Sequence, residues 1–247
     1  MLKKLSMLLF LGALCMWAAD FWTTKPFTDW SDKEVQKILS DSPWTGKVTV
    51  TGGVGAGIAE SGGGRGGGRG GGGGGRGGGG PQGDSVNADP GIDGGGGGGF
   101  GGGGGGITVT LLWQTALPVK QAIAKRRFGA EAGTSPDAKA ILDRVDQVYV
   151  LTLIGMPGYA LGAAQGDRKA ALLESTTLTA FGKPPLKAAD VQVNGGRGTA
   201  TVSFLFPKTT TFTAEDKDME FVSKFGVTSV KHKFKLKDMV FNGKVEM

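Results

Sequence analysis

One segment limits how much of this chain can fold. From Gly52 to Gly106 the sequence holds 34 glycines in 55 residues, and Val54, Ile58, Val86, Ile92 and Phe100 are its only large apolar side chains. Ordering a backbone costs roughly 1–2 kcal/mol per residue, and so few apolar groups cannot offset that. Residues 52–106 are therefore predicted to be a disordered, low-complexity insert. Setting it and the first 19 residues aside leaves about 170 residues, enough for one domain with a sizeable core.

The sequence on either side of the insert explains how a core could tolerate it. "GKVTVT" (46–51) alternates Val48 and Val50 with polar neighbours, and "ITVTLLWQTAL" (107–117) is equally β-rich. Two strands meeting across one structureless segment predict a hairpin with an enlarged loop. Lengthening a loop from about 4 to about 55 residues costs only roughly 2 kcal/mol, because closure entropy grows logarithmically.

The N-terminus, "MLKKLSMLLFLGALCMWAAD", places two lysines before an apolar run that is too short to span a bilayer and matches a secretory signal peptide, residues 1–19. The expected location is exported, periplasmic or secreted. Membrane contact would come only through an uncleaved signal, since Trp17 fits a cleavage site poorly, or through lipidation of Cys15. That cysteine is the only one, so a cleaved chain has no disulfide, thiolate metal site or cysteine nucleophile. The domain scheme is a signal peptide (1–19), a helix and first strand (20–51), the insert (52–106), and the remainder of the same domain (107–247).

Start and stop signals predict four helices. Ser31 with Glu34 forms a capping-box pattern ahead of Val35, Ile38 and Leu39, giving a helix over 32–40. Pro118 opens a second, ended by Gly129, with Lys125, Arg126 and Arg127 in its last turn complementing the helix dipole. Ser135 and Pro136 open a third, read through Gln147, and Asp167 is read as the cap of a fourth. "VYVLTLIGM" (148–156) is apolar enough for a buried strand, and "TTLTAF" is short and β-like. A hairpin is expected around Asn194, Gly195 and Gly196, with Val202, Phe204 and Phe206 on one face. "DMEFVSKFG" and "SVKHKFKLKDMVFNGKVEM" supply further strands. The fold class is α+β: a single domain with a largely antiparallel sheet and three or four helices, interrupted by the insert.

Several activities are excluded by what the sequence lacks. Arg65, Arg69 and Arg76 are too sparse, with only a distant Phe100, to make an RNA-binding tract, and no nucleic-acid partner is expected. "VTGGVGAGIAE" breaks the dinucleotide fingerprint at Ile58 and Glu60, so no nucleotide cofactor is implied. The net charge of +6 is mild. His232 is the sole histidine, so a typical zinc site lacks its ligands and a serine triad would have to use this residue; on a strand face with Val230, Phe234 and Leu236 it reads as structural. No catalytic residues and no cofactor are assigned.

Two constellations remain as candidate binding residues. Lys231, Lys233, Lys235 and Lys237 fall on one side of the "VKHKFKLK" strand, where they protect an edge or contact an acidic partner. Trp30, Trp44 and Trp113 surround the first helix and the strand pair, as a packed cluster or as a sugar-stacking platform.

The run Trp30, Ser31, Lys33, Val35, Leu39, Ser42, Pro43 and Trp44, a WSxKxVxxxLxxSPW pattern, with Trp113, Ala116, Leu117 and Pro118 later in the chain, resembles a group of exported proteins of acidobacterial type that has no assigned activity. The resemblance implies export and a shared domain, and carries over no catalytic residue. The expected function is a non-enzymatic, envelope-associated domain with a binding or structural role, its partner an acidic envelope component, polysaccharide or protein. The competing reading is an extracytoplasmic hydrolase built on a carboxylate pair such as Glu174 and Asp190.

Overall fold

A computed structural model describes residues 20–50, 107–158, 165–195, 198–226 and 228–247. Residues 1–19, read above as a signal peptide, and residues 51–106, which contain the glycine-rich segment, lie outside the described residues.

The N-terminal region folds as its capping chemistry dictates. A one-turn helix absent from the sequence reading, α1 (Phe21–Thr24), precedes α2 (Asp32–Ser40). Ser31 caps α2: its hydroxyl accepts the Glu34 N–H at 3.4 Å while the Glu34 carboxylate accepts the Ser31 N–H at 2.7 Å. The buried face of α2 is Val35, Ile38 and Leu39. Strand β1 (Thr45–Val50) pairs antiparallel with β2 (Ile107–Trp113) in continuous register from Thr45↔Leu112 to Val50↔Ile107. The strands on either side of residues 51–106 are therefore direct antiparallel neighbours, as the hairpin reading expects.

Helix α3 (Leu117–Phe128) has proline in its first turn and stops at Gly129, whose N–H reaches Lys125 O and whose φ of 57° turns the chain away in a conformation that would strain a residue with a side chain. Helix α4 (Pro136–Asp143) is capped by Ser135 as predicted but ends four residues before Gln147. The connection is diverted because the buried Lys120 ammonium binds Arg144 O at 2.8 Å and the carboxylate of Asp146. Helix α5 (Gln165–Ser175) begins before Asp167, which lies inside the helix rather than capping it.

The remaining strands are β3 (Val148–Pro157), β4 (Thr177–Ala180), β5 (Leu186–Lys187), β6 (Asp190–Gly195), β7 (Thr199–Pro207), β8 (Asp218–Phe225), β9 (Thr228–Lys235), β10 (Val240–Phe241) and β11 (Lys244–Val245). They form a five-stranded sheet, β1-β2-β3-β7-β6, a four-stranded sheet, β5-β4-β8-β9, and a two-stranded ribbon, β10-β11. Every pairing is antiparallel, so with five helices among the described residues the protein is α+β. The β6–β7 hairpin runs one step further than the sequence reading: Asn194 and Gly195 pair with Thr201 and Ala200 in the ladder.

Period-two alternation decides which faces meet. Val202, Phe204 and Phe206 of β7 are buried, as are Met219, Phe221 and Phe225 of β8 and Val230 and Phe234 of β9. Phe204 packs 5.3 Å from Phe221 between ring centroids and Trp113 5.5 Å from Phe234, so the two sheets meet face to face through aromatic rings. Helix α2 packs on α3 and on β1 and β2. The last residues close the structure, because Trp44 Nε1 donates to Glu246 O at 3.0 Å across 202 residues of sequence.

Candidate functional site

The outer face of the four-stranded sheet follows from the β8–β9 register. Lys235 stands opposite Asp218, Lys233 opposite Glu220 and Lys231 opposite Val222. The β4 partners on the same face are Thr179 and Thr177, and Lys187 of β5 continues the row opposite Thr177. Adding Lys224, this face holds five lysines against Asp218 and Glu220, and all five lysines are exposed. Lys231 and Lys233 share Glu220 Oε1 at 3.1 and 3.8 Å, with side chains about 61% and 63% exposed. Pairs this exposed contribute little to stability, and the face keeps an excess of three positive charges.

Lys237 does not belong to this face. The strand ends at Lys235, and Lys237 sits in a 3-10 turn, Leu236–Met239. There it lines an open cleft of about 560 Å³ with Asp20, Trp22, Lys37, Asp41 and Asp238. Three carboxylates and two ammonium groups leave the cleft without a dominant sign of charge. Lys187 and Lys224 were missed by the sequence reading, although the alternation of "DMEFVSKF" carries the signal that puts Asp218, Glu220 and Lys224 on one side.

The three tryptophans are placed inside the fold. Trp30 is 2% exposed, and Trp44 and Trp113 are fully buried. Trp22 packs edge-on against Trp44 at 5.7 Å, and Phe21 and Phe27 flank Trp30. Buried rings present no face to a sugar, so the cluster fastens α1 and α2 to the strands.

His232 is half-buried, its ring 4.6 Å from Phe234 and directly over Gly46, where a Cβ would fall 2.4 Å from Nε2. Burial holds its pKa below the usual histidine value. Asp190 is engaged by Lys169 at 2.6 Å and by Gln192 at 3.3 Å. The Lys169 hydrogen bond foremost draws its pKa down, the opposite of what a general acid needs. Glu174 stands exposed on α5.

Among the described residues no group of three or more His, Cys, Asp or Glu side chains could hold a metal ion, and no helix is long and apolar enough to cross a membrane. The fold and this basic face together define an α+β domain of two packed antiparallel sheets with one lysine-bearing outer surface. No protein-family model matches the chain, and no curated protein and no solved structure matches it.

Proposed function

We propose that the protein is an exported, non-enzymatic domain that binds an acidic polysaccharide of the cell envelope through the outer face of the β5-β4-β8-β9 sheet. One observation carries this reading: five exposed lysines against two carboxylates on a single sheet face, with Thr177 and Thr179 between them. A pleated face sets side chains two residues apart at about 7 Å along a strand, a regular array that suits a repeating polyanion. Lysine charges of this kind act at modest range and are screened by salt.

The test is sedimentation or calorimetry with a defined polyuronate. Binding should weaken as salt rises, and Lys231→Gln, Lys233→Gln and Lys235→Gln combined should lower affinity about tenfold, while leaving the melting temperature within a few degrees. Absence of binding by the parent chain at low salt, or binding unaltered in the triple variant, overturns the proposal. Equal binding to a neutral polysaccharide would do the same.

A further inference from the structure

A second charged site lies where β3 begins and β7 ends, apart from the lysine face and independent of the reading above. Lys120 of α3 is only 6% exposed. Its ammonium binds Arg144 O at 2.8 Å and pairs with Asp146, whose other oxygen is held by Arg144 Nε at 2.8 Å. Glu246 accepts the Leu117 N–H at 3.3 Å at the start of α3 and pairs with Lys244 at 2.9 Å. Both carboxylates thus have cationic partners, although Glu246 Oε1 is buried without a hydrogen-bond donor.

Lys208 is the cation left over. It follows β7 directly, is exposed, and takes part in none of the ion pairs among the described residues. Its ammonium stands 5.0 Å above the Tyr149 ring and within electrostatic range of Asp146, Lys120, Glu246 and Lys244. Tyr149 is fixed beneath it: its hydroxyl donates to Thr210 O at 3.1 Å, and its ring packs against Trp113 and Phe212 at 6.3 and 6.0 Å. Partial desolvation, with Lys120 and Lys244 nearby, draws the Lys208 pKa down against the pull of the two carboxylates. The charged groups linked to Lys208 are therefore Lys120, Lys244, Asp146 and Glu246, with Arg144 joined through its pair with Asp146, four cations to two anions in all.

We propose that this cluster is an anion-binding site for a compact oxyanion, a phosphate group or a carboxylate, held by Lys208 over the Tyr149 ring. The buried Lys120–Asp146 pair and the anchored tyrosine set the ammonium in place before a ligand arrives, and the local excess of positive charge is what an oxyanion would neutralise.

The experiment titrates the full chain with inorganic phosphate, and separately with acetate, at ionic strength held constant with chloride. The amide signals of Lys208, Lys120 and Leu117 are followed by NMR. Saturable shifts centred on this cluster are expected. Lys208→Met should weaken them about tenfold, the ratio produced by losing one charge-assisted hydrogen bond, while Lys208→Arg retains them. Lys233→Gln should leave them unchanged. Saturation by phosphate alone assigns a phosphate group, by acetate alone a carboxylate, and by both an unselective oxyanion site. Linear shifts with both ions, or saturable shifts that Lys208→Met does not weaken, overturn the proposal.

Discussion

Glu34 closes three local bonds with one oxygen: the Ser31 N–H at 2.7 Å, the Ser31 hydroxyl at 2.8 Å and the Lys25 ammonium at 2.8 Å. The Lys25 bond foremost, then the Ser31 N–H and hydroxyl, lowers its pKa from 4.5 to about 2. A folded-state pKa below the unfolded one stabilises the fold above pH 4.5, and this is lost as the pH falls through about 2. Glu34→Gln is expected to cost about 1 kcal/mol at neutral pH and to flatten the dependence of stability on pH in that window, read by urea denaturation. His232 is depressed from 6.5 by burial, so its neutral form is fully compatible with the fold above that pH and stability declines as the pH falls through the folded-state value. It is the only histidine, so His232→Asn should remove the histidine contribution to the difference in stability between pH 7.5 and 5. Gly46→Ala drives a methyl group into the same ring and should destabilise by about 1–3 kcal/mol. His232→Ala in that background should recover part of the loss, a coupling that a double-mutant cycle measures.

Among elements, the β1–β2 hairpin bears most directly on the glycine-rich insert. Val50 and Ile107 are register partners, so replacing residues 53 to 105 with a short Asn-Gly turn should preserve the fold and raise stability by up to roughly 2 kcal/mol. Circular dichroism and denaturant titration check this, and loss of the folded transition would refute it. Helix starts were legible in the sequence because the determinants are neighbours: Ser31 with Glu34, Pro118 at a first turn, Ser135 before Pro136. Where distant contacts intervene, the reading departed from the structure. The third predicted helix stops at Asp143 because the next residues turn to meet Lys120 on another helix, a partner that no local pattern contains.

For the whole molecule, the C-terminal residues seal the N-terminal ones. Glu246 O receives the indole N–H of Trp44, its carboxylate receives the Leu117 N–H, and Met247 is buried. Removing residues 244 to 247 should therefore destabilise the fold by roughly 2–5 kcal/mol, seen as a lowered melting temperature, because buried donors lose their acceptors and packed apolar surface opens. The candidate face was half legible at this scale. Period-two spacing of Lys231, Lys233 and Lys235 was visible in one strand, whereas Lys187, Lys224 and the opposing Glu220 joined it only through strand pairing. By itself the sequence determined the α+β class, most element starts and the need for a core outside the glycine tract, since these depend on side chains within a few positions of one another. Tertiary structure alone decided that Trp30, Trp44 and Trp113 are buried, that Lys237 departs from the lysine row, and that Lys208 meets Tyr149 and Lys120. Burial and charge pairing are set by residues tens to hundreds of positions away, which come together only when the two sheets close on each other.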